Sequence, residues 1–259
     1  MIGRRGFALL AVLWVVAALS AIVGLGLGAL RIGAQASANR VELTRGRWAA
    51  DACLAIAEAR WTRHRFSDTG TVDLGRTGCS WRADDPTARV NVNTAPATLL
   101  YALAQQVGTP SLVVDTLLAH RPYADTAQVR SALTADSVLL PLLTTDGSGS
   151  INLNDAAPAV IRSIPGLGPE TASRLAEYAH LGRPIASLDQ LGSVLVGERA
   201  ALMAHYADLA GMLTFAAPQL VITATGWVGE TGPDGLHATI EELVVPLPDR
   251  LAVIRRRMW

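Results

Sequence analysis

Few side chains in this 259-residue chain stand where they could do covalent chemistry. Cys53 and Cys79 are its two thiols. Outside the cytosol an even pair could close a disulfide; Cys53 also sits on an apolar helical pattern that would suit a buried free thiol. Neither has a CxxC partner. His64, His120, His180, His205 and His237 are scattered without metal-ligand spacing, and no GxSxG elbow, P-loop or HExxH motif occurs. Asp84, Asp85, Asp146, Asp155 and Asp234 fall in turn-like stretches where carboxylates could meet calcium, but none matches a specific loop signature. Gly24, Gly26 and Gly28 echo a nucleotide fingerprint inside an apolar run with no strand before it, so they are read as easing helix packing or bending. One turn is better placed for binding. Ile164-Pro165-Gly166-Leu167-Gly168 precedes a helical pattern, and its amides could hold a phosphate. Residues 151–212 nevertheless carry four arginines against six carboxylates. A phosphate binder draws most of its affinity from positive charge, so these glycines are read as permitting a tight turn. The chain is expected not to be an enzyme.

The elements that would position any site begin at the N-terminus. Arg4-Arg5-Gly6 is followed by an apolar run from Phe7 to Leu30 with no charged side chain. At about 1.5 Å per residue that run matches a bilayer core of roughly 30 Å. A cleaved secretory signal has a shorter apolar region of about 7–15 residues and a small-residue cleavage site, and no Ala-x-Ala site precedes Arg31. A plain anchor fits the length. The abrupt passage from Gly6 to Phe7, with no spacer, resembles the leader of type IV pilins and type II secretion pseudopilins. That resemblance implies cleavage after Gly6, methylation of the new N-terminal Phe7, and an apolar segment that stays on the mature protein.

The formal net charge is zero, and with no lysine every basic side chain is an arginine. No basic tail or arm marks a nucleic-acid binder. From Arg31 to about Arg63, Val41, Trp48, Ala52, Ile56 and Ala59 recur at three- and four-residue spacing, which predicts a helix laying that face on a globular domain. Ser67-Asp68-Thr69-Gly70 breaks it, and short strands follow around Val72–Leu74 and Cys79–Arg82. Then the chain repeats itself. RVNVNTAPATLLYAL (89–103) aligns at constant offset with SINLNDAAPAVIRSI (150–164), pairing Asn91 with Asn152, Asn93 with Asn154 and Leu99 with Val160. Thr94 and Asp155 are predicted helix N-caps with Pro96 and Pro158 in the first turn, and the asparagines are expected to bond backbone ahead of the cap. Helical patterns continue at Leu112–Ala119, Thr126–Leu133 and Val138–Leu143, and again at Glu170–Ala179, Leu188–Leu195 and Glu198–Leu209. Asp146–Ser150 reads as a flexible joint between the copies. From Pro218 the period falls to two, and Leu220–Val228, His237–Val245 and Leu251–Trp259 predict an antiparallel meander.

These pieces together resemble the minor pseudopilin K family of type II secretion (general secretion pathway protein K). The matching stretches are RRGFALLAVLWVVAAL, CSWRADDPTARVNVNTAP, SINLNDAAPAVIRSIPGLG and VVPLPDRLAVIRRRMW. The fold implied is α+β: a long N-terminal transmembrane, pilin-like helix packed on a small antiparallel β-sheet, with a large inserted all-α domain of two duplicated helical (SAM-like or helix-hairpin-helix-like) units. The division expected is leader 1–6, membrane helix 7–30, helix and first strands 31–88, insertion 89–215 (units 89–146 and 150–213) and C-terminal strands 216–259. Most pseudopilins carry a glutamate at the fifth mature position; here it is Ala11, a departure the family shares and one that suits the tip of a filament. The implied partners are the I- and J-type minor pseudopilins, the major pseudopilin and the prepilin peptidase, with no nucleic acid. The implied location is single-pass in a bacterial inner membrane with the C-terminal domain in the periplasm. Calcium has been associated with the family, but no ligands can be assigned in this sequence. The alternative is a membrane-anchored, competence-type DNA-uptake receptor, whose Ile-Asn-Leu-Asn and Pro-Gly-Leu-Gly segments are similar.

Overall fold

The computed structural model describes residues 3–63, 68–73, 75–133, 137–229 and 232–259. Ser67 of the expected helix break and Leu74 of the expected first strand lie outside the described residues. Helix α1 (Gly3–Thr62) is continuous over 60 residues, or about 90 Å. From Val12 to Ile32 its large apolar side chains are exposed. This helix is long and apolar enough to cross a membrane.

The other half of α1 lies on a sheet, with a different face from the one the spacing predicts. Gly46, Ala49, Ala50, Cys53, Leu54 and Ala57 are buried, whereas Val41 is 48% and Trp48 72% exposed; Ala52 and Ile56 are half-buried and Ala59 is exposed. Backbone proximity explains the choice. A Cβ on Gly226 would stand 2.1 Å from the Gly46 carbonyl oxygen and 2.4 Å from the Ala50 nitrogen. A helix that close to a sheet must turn its small residues inward, so its larger apolar ones face out.

Strands β1 (Thr69–Asp73) and β2 (Thr77–Asp84) form a hairpin. A 3₁₀ turn at Pro86–Ala88, capped by the Asp85 carboxylate accepting from Thr87 N–H, leads into the repeats. The first holds β3 (Val90–Asn91), α2 (Ala97–Gln106), α3 (Ser111–Ala119), α4 (Thr126–Ala132) and β4 (Leu143–Thr144). The second holds β5 (Ile151–Asn152), α5 (Pro158–Ser163), α6 (Pro169–His180), α7 (Leu188–Val194), α8 (Arg199–Ala204), α9 (Tyr206–Met212) and β6 (Leu213–Thr214). Each copy is closed by a two-residue parallel pairing of its ends, Val90 with Leu143 and Ile151 with Leu213. The predicted helix at Val138–Leu143 is only a 3₁₀ turn, Leu140–Leu142. The predicted helix over Glu198–Leu209 is two short helices broken at His205.

The two copies share one hydrophobic core, in which α2 packs on α5 and Leu100, Leu103, Ile161 and Ile164 are all buried. Strands β7 (Leu220–Val228), β8 (His237–Pro246) and β9 (Leu251–Met258) then complete an antiparallel sheet of order β1-β2-β7-β8-β9. Trp81 and Ile240 of that sheet join Ala50, Cys53 and Ala57 of α1 in a second core. The helical repeats are thus an insertion between two neighbouring strands: Asp84 of β2 pairs with Val221 of β7. The whole is α+β, a long apolar helix on a small antiparallel sheet with further helices.

Candidate functional site

The asparagine pairs are clasps. Asn91 Oδ1 accepts from the Asn93 amide and Asn152 Oδ1 from the Asn154 amide. The Asn91 carbonyl accepts from Thr94 and Ala95 N–H, and that of Asn152 from Asp155 and Ala156 N–H. These turns close by themselves, so the helices start later than predicted. The α2 and α5 N-caps are Pro96 and Ala157, without side-chain bonds, and Thr94 and Asp155 cap neither helix. The second asparagine of each pair grips a distant peptide. Asn93 both donates to the Tyr123 carbonyl and accepts from the Tyr123 N–H, at 2.9 and 2.8 Å. Asn154 holds Ile185 in the same way, and also donates to the Phe215 carbonyl at 2.7 Å. Tyr123 and Ile185 follow the matching Arg-Pro pairs, just before helix starts where Asp125 and Ser187 cap by accepting from Gln128 and Gln190 N–H, while those glutamines accept from the N–H of Ala124 and Ala186, one residue ahead of the cap.

The Ile164–Gly168 turn is tight, with Gly166 at φ +83°, and it is not empty. Gly168 N–H donates to Glu198 Oε2 at 3.1 Å, and the Thr171 hydroxyl donates to the same oxygen. His205 covers Gly166, where a Cβ would come within 2.9 Å of the His205 Cβ. Nothing in the sequence spacing pointed to Glu198.

Asp146–Ser150 is held in place, not a free joint. Arg255 of β9 forks onto the Asp146 carboxylate, and Asn91 Nδ2 donates to the Asp146 and Gly147 carbonyls at 3.2 Å each. Arg257 Nη2 donates to the Ala124 carbonyl at 2.9 Å, a second tie between sheet and insertion.

A cleft of about 630 Å³ opens between sheet and insertion, lined by Trp61, Asp68, Asp84, Asp85, Arg89 and Asp155 among others. Asn152 Nδ2 donates to both Asp85 and Asp155 at 2.8 Å. Burial, then the nearby Asp85 and Asp68 charges, push the Asp155 carboxyl above its ordinary range. Among the described residues no three His, Cys, Asp or Glu side chains are grouped to hold a metal ion.

Cys53 of α1 and Cys79 of β2 are joined by a disulfide with Cα atoms 6.0 Å apart. The Gly6–Phe7 junction and Ala11 fall within α1, but their side-chain surroundings lie outside the described residues.

A lone apolar helix seated by small residues on an antiparallel sheet, with a helical insertion between two strands, is a pseudopilin-type fold. The chain is similar in structure to one described as the GspK-GspI-GspJ complex from the enterotoxigenic Escherichia coli Type 2 Secretion System. The similarity has a TM-score of 0.56 at 15% sequence identity and covers 90% of this chain and 99% of that one. No protein-family model and no curated protein matches the chain.

Proposed function

We propose that this chain is a minor pseudopilin at the tip of a type II secretion pseudopilus, where it helps initiate pseudopilus assembly and protein secretion across the outer membrane. One observation carries the reading: the bulk of the insertion is built into a sheet that rides on a single continuous helix able to span a membrane. A filament subunit passes its apolar helix to the assembly and presents its folded part outside. A subunit with so large an added body belongs where nothing must stack above it. Ala11 agrees, because no carboxylate stands at the fifth mature position to meet a neighbour's N-terminal amine. In this reading the prepilin peptidase cuts after Gly6, Phe7 is methylated, the protein stands in the inner membrane with its C-terminal part in the periplasm, and its partners are the I- and J-type minor pseudopilins and the major pseudopilin.

The competence-type DNA receptor draws no support from the glycine turn, whose Gly168 amide already holds Glu198. The test is co-expression of the tagged full-length chain with its peptidase and the I- and J-type pseudopilins. The expected result is a mature mass beginning at Phe7 with one added methyl group, and a ternary complex that survives detergent extraction. Retention of Met1 despite active peptidase, or absence of the complex, overturns the proposal.

A further inference from the structure

The glycine turn ahead of α6 has the parts of an oxyanion site: a left-handed Gly166, a Gly168 amide that donates to a carboxylate rather than to the backbone, and the start of a 12-residue helix. An anion is already bound there, and it belongs to the chain. The Glu198 carboxylate, from the residue preceding α8, accepts from both Gly168 N–H and the Thr171 hydroxyl. A Cβ at position 168 would fall 2.2 Å from Glu198 Oε1, so any larger residue would displace the carboxylate from this position. The first repeat is an internal control. Aligned on the first residues of α3 and α6, Ser111 and Pro169, it has Pro110 where the second has Gly168, and Val113 where the second has Thr171. It lacks both the glycine and the hydroxyl.

We infer that the Ile164–Gly168 turn is an oxyanion-binding turn whose anion is the chain's own Glu198 carboxylate, which latches α6 to α8 and bars any phosphate, free or nucleic-acid-borne, from the folded protein. The Gly168 amide has one hydrogen to give, and an incoming phosphate would place a second negative charge against Glu198 at contact distance. The other five carboxylates of residues 151–212, against four arginines, add to that repulsion. The turn is therefore a fastening and not a docking point.

The test uses the full-length chain in detergent, with inorganic phosphate as probe and chloride at matched ionic strength as control. Glu198→Ala should lower the melting temperature, recover part of the loss in phosphate but not in chloride, and show a saturable phosphate-dependent shift of the Gly168 amide resonance. The unmodified chain should show no phosphate response. An equal response from the unmodified chain, or a Glu198→Ala protein of unchanged stability and indifferent to phosphate, overturns the inference. Should Glu198→Ala fail to fold, Glu198→Gln decides. Its neutral carbonyl still accepts from Gly168, so the fold persists while the Gly168 amide proton moves upfield from its charge-assisted position. An unmoved resonance overturns the inference.

Discussion

Arg255 and Asp146, 109 residues apart in sequence, meet as a two-pronged ion pair that ties the edge strand β9 to the segment joining the two helical repeats. The pair is well shielded, with Asp146 only 12% and Arg255 29% exposed. Glu241 adds a second carboxylate at 3.3 Å from the same guanidinium. The insertion therefore has a fixed seat on the sheet.

Removing one partner should loosen that seat without unfolding either core. Asp146→Asn keeps the shape and loses the charge, and is expected to cost about 1.5–3 kcal/mol, the range for hydrogen bonds to charged groups. Urea denaturation measures the loss, and limited proteolysis should show earlier cutting at residues 144–150. An unchanged cleavage pattern would mean that Asn91 alone holds the segment.

Asn154 spans three backbone groups with one amide, and Asn93 spans two at Tyr123. Asn154→Ala is expected to destabilise by roughly 2–4 kcal/mol, because buried backbone groups lose their partners. Asn154→Asp should be worse, since a carboxylate would face the Ile185 and Phe215 carbonyls. Chemical denaturation of both variants gives the order, and a milder Asp variant would contradict the clasp.

We expect the Cys53–Cys79 bond to stabilise the seat of α1 on the sheet. The sequence separation is 26 residues, and chain-entropy arguments for a closed loop of that size give about 3.5 kcal/mol. Reduction should lower the melting temperature, and the Cys53→Ser/Cys79→Ser double variant should be insensitive to reductant. A melting temperature independent of reductant in the unmodified protein would refute this.

Glu242 is buried beside Arg256, 3.2 Å away. Burial raises its carboxyl above the ordinary value of 4.5; Arg256 pulls it back down, and Asp51 and Glu58 push it further up. A raised folded-state value means that the folded chain holds the proton more tightly than the unfolded one. This group's contribution to stability therefore grows as pH falls through the window between its folded value and the ordinary glutamate value, and is lost as pH rises through that window. Glu242→Gln should flatten the dependence of melting temperature on pH immediately above 4.5 and leave the curve below it unchanged. An identical slope in both proteins would show that Glu242 does not titrate there.

Elements whose periodicity matched their surroundings were legible in the sequence. The alternation from Leu220 to Val228 was read as a strand because alternate residues there, Ile222, Ala224 and Gly226, are the buried ones, and the repeat was read because both copies use the same Asn-x-Asn turn. The helix face was misread because Val41 and Trp48 look like core residues by type. The deciding fact, contact between Gly46 and Gly226, joins residues 180 positions apart. Thr94 and Asp155 have good capping chemistry, but the turn ahead of them consumes the positions where they would act. Arg255, Glu198 and the grip on Tyr123 and Ile185 are long-range pairings, and local spacing carries no trace of them. The Asp146–Ser150 stretch has the composition of a joint, and its partners from β9 and β3 hold it in place.

The insertion between β2 and β7 bears on how the chain folds. Asp84 and Val221 are cross-strand partners, so pairing these strands in an otherwise unfolded chain would close a loop of residues 85–220, at an entropic cost of roughly 4 kcal/mol. The insertion removes most of that cost if it folds first, since its shared core and its parallel end-pairings bring the two strands together as neighbours. The five-stranded sheet would then be assembled last, on a scaffold made by the very segment that interrupts it.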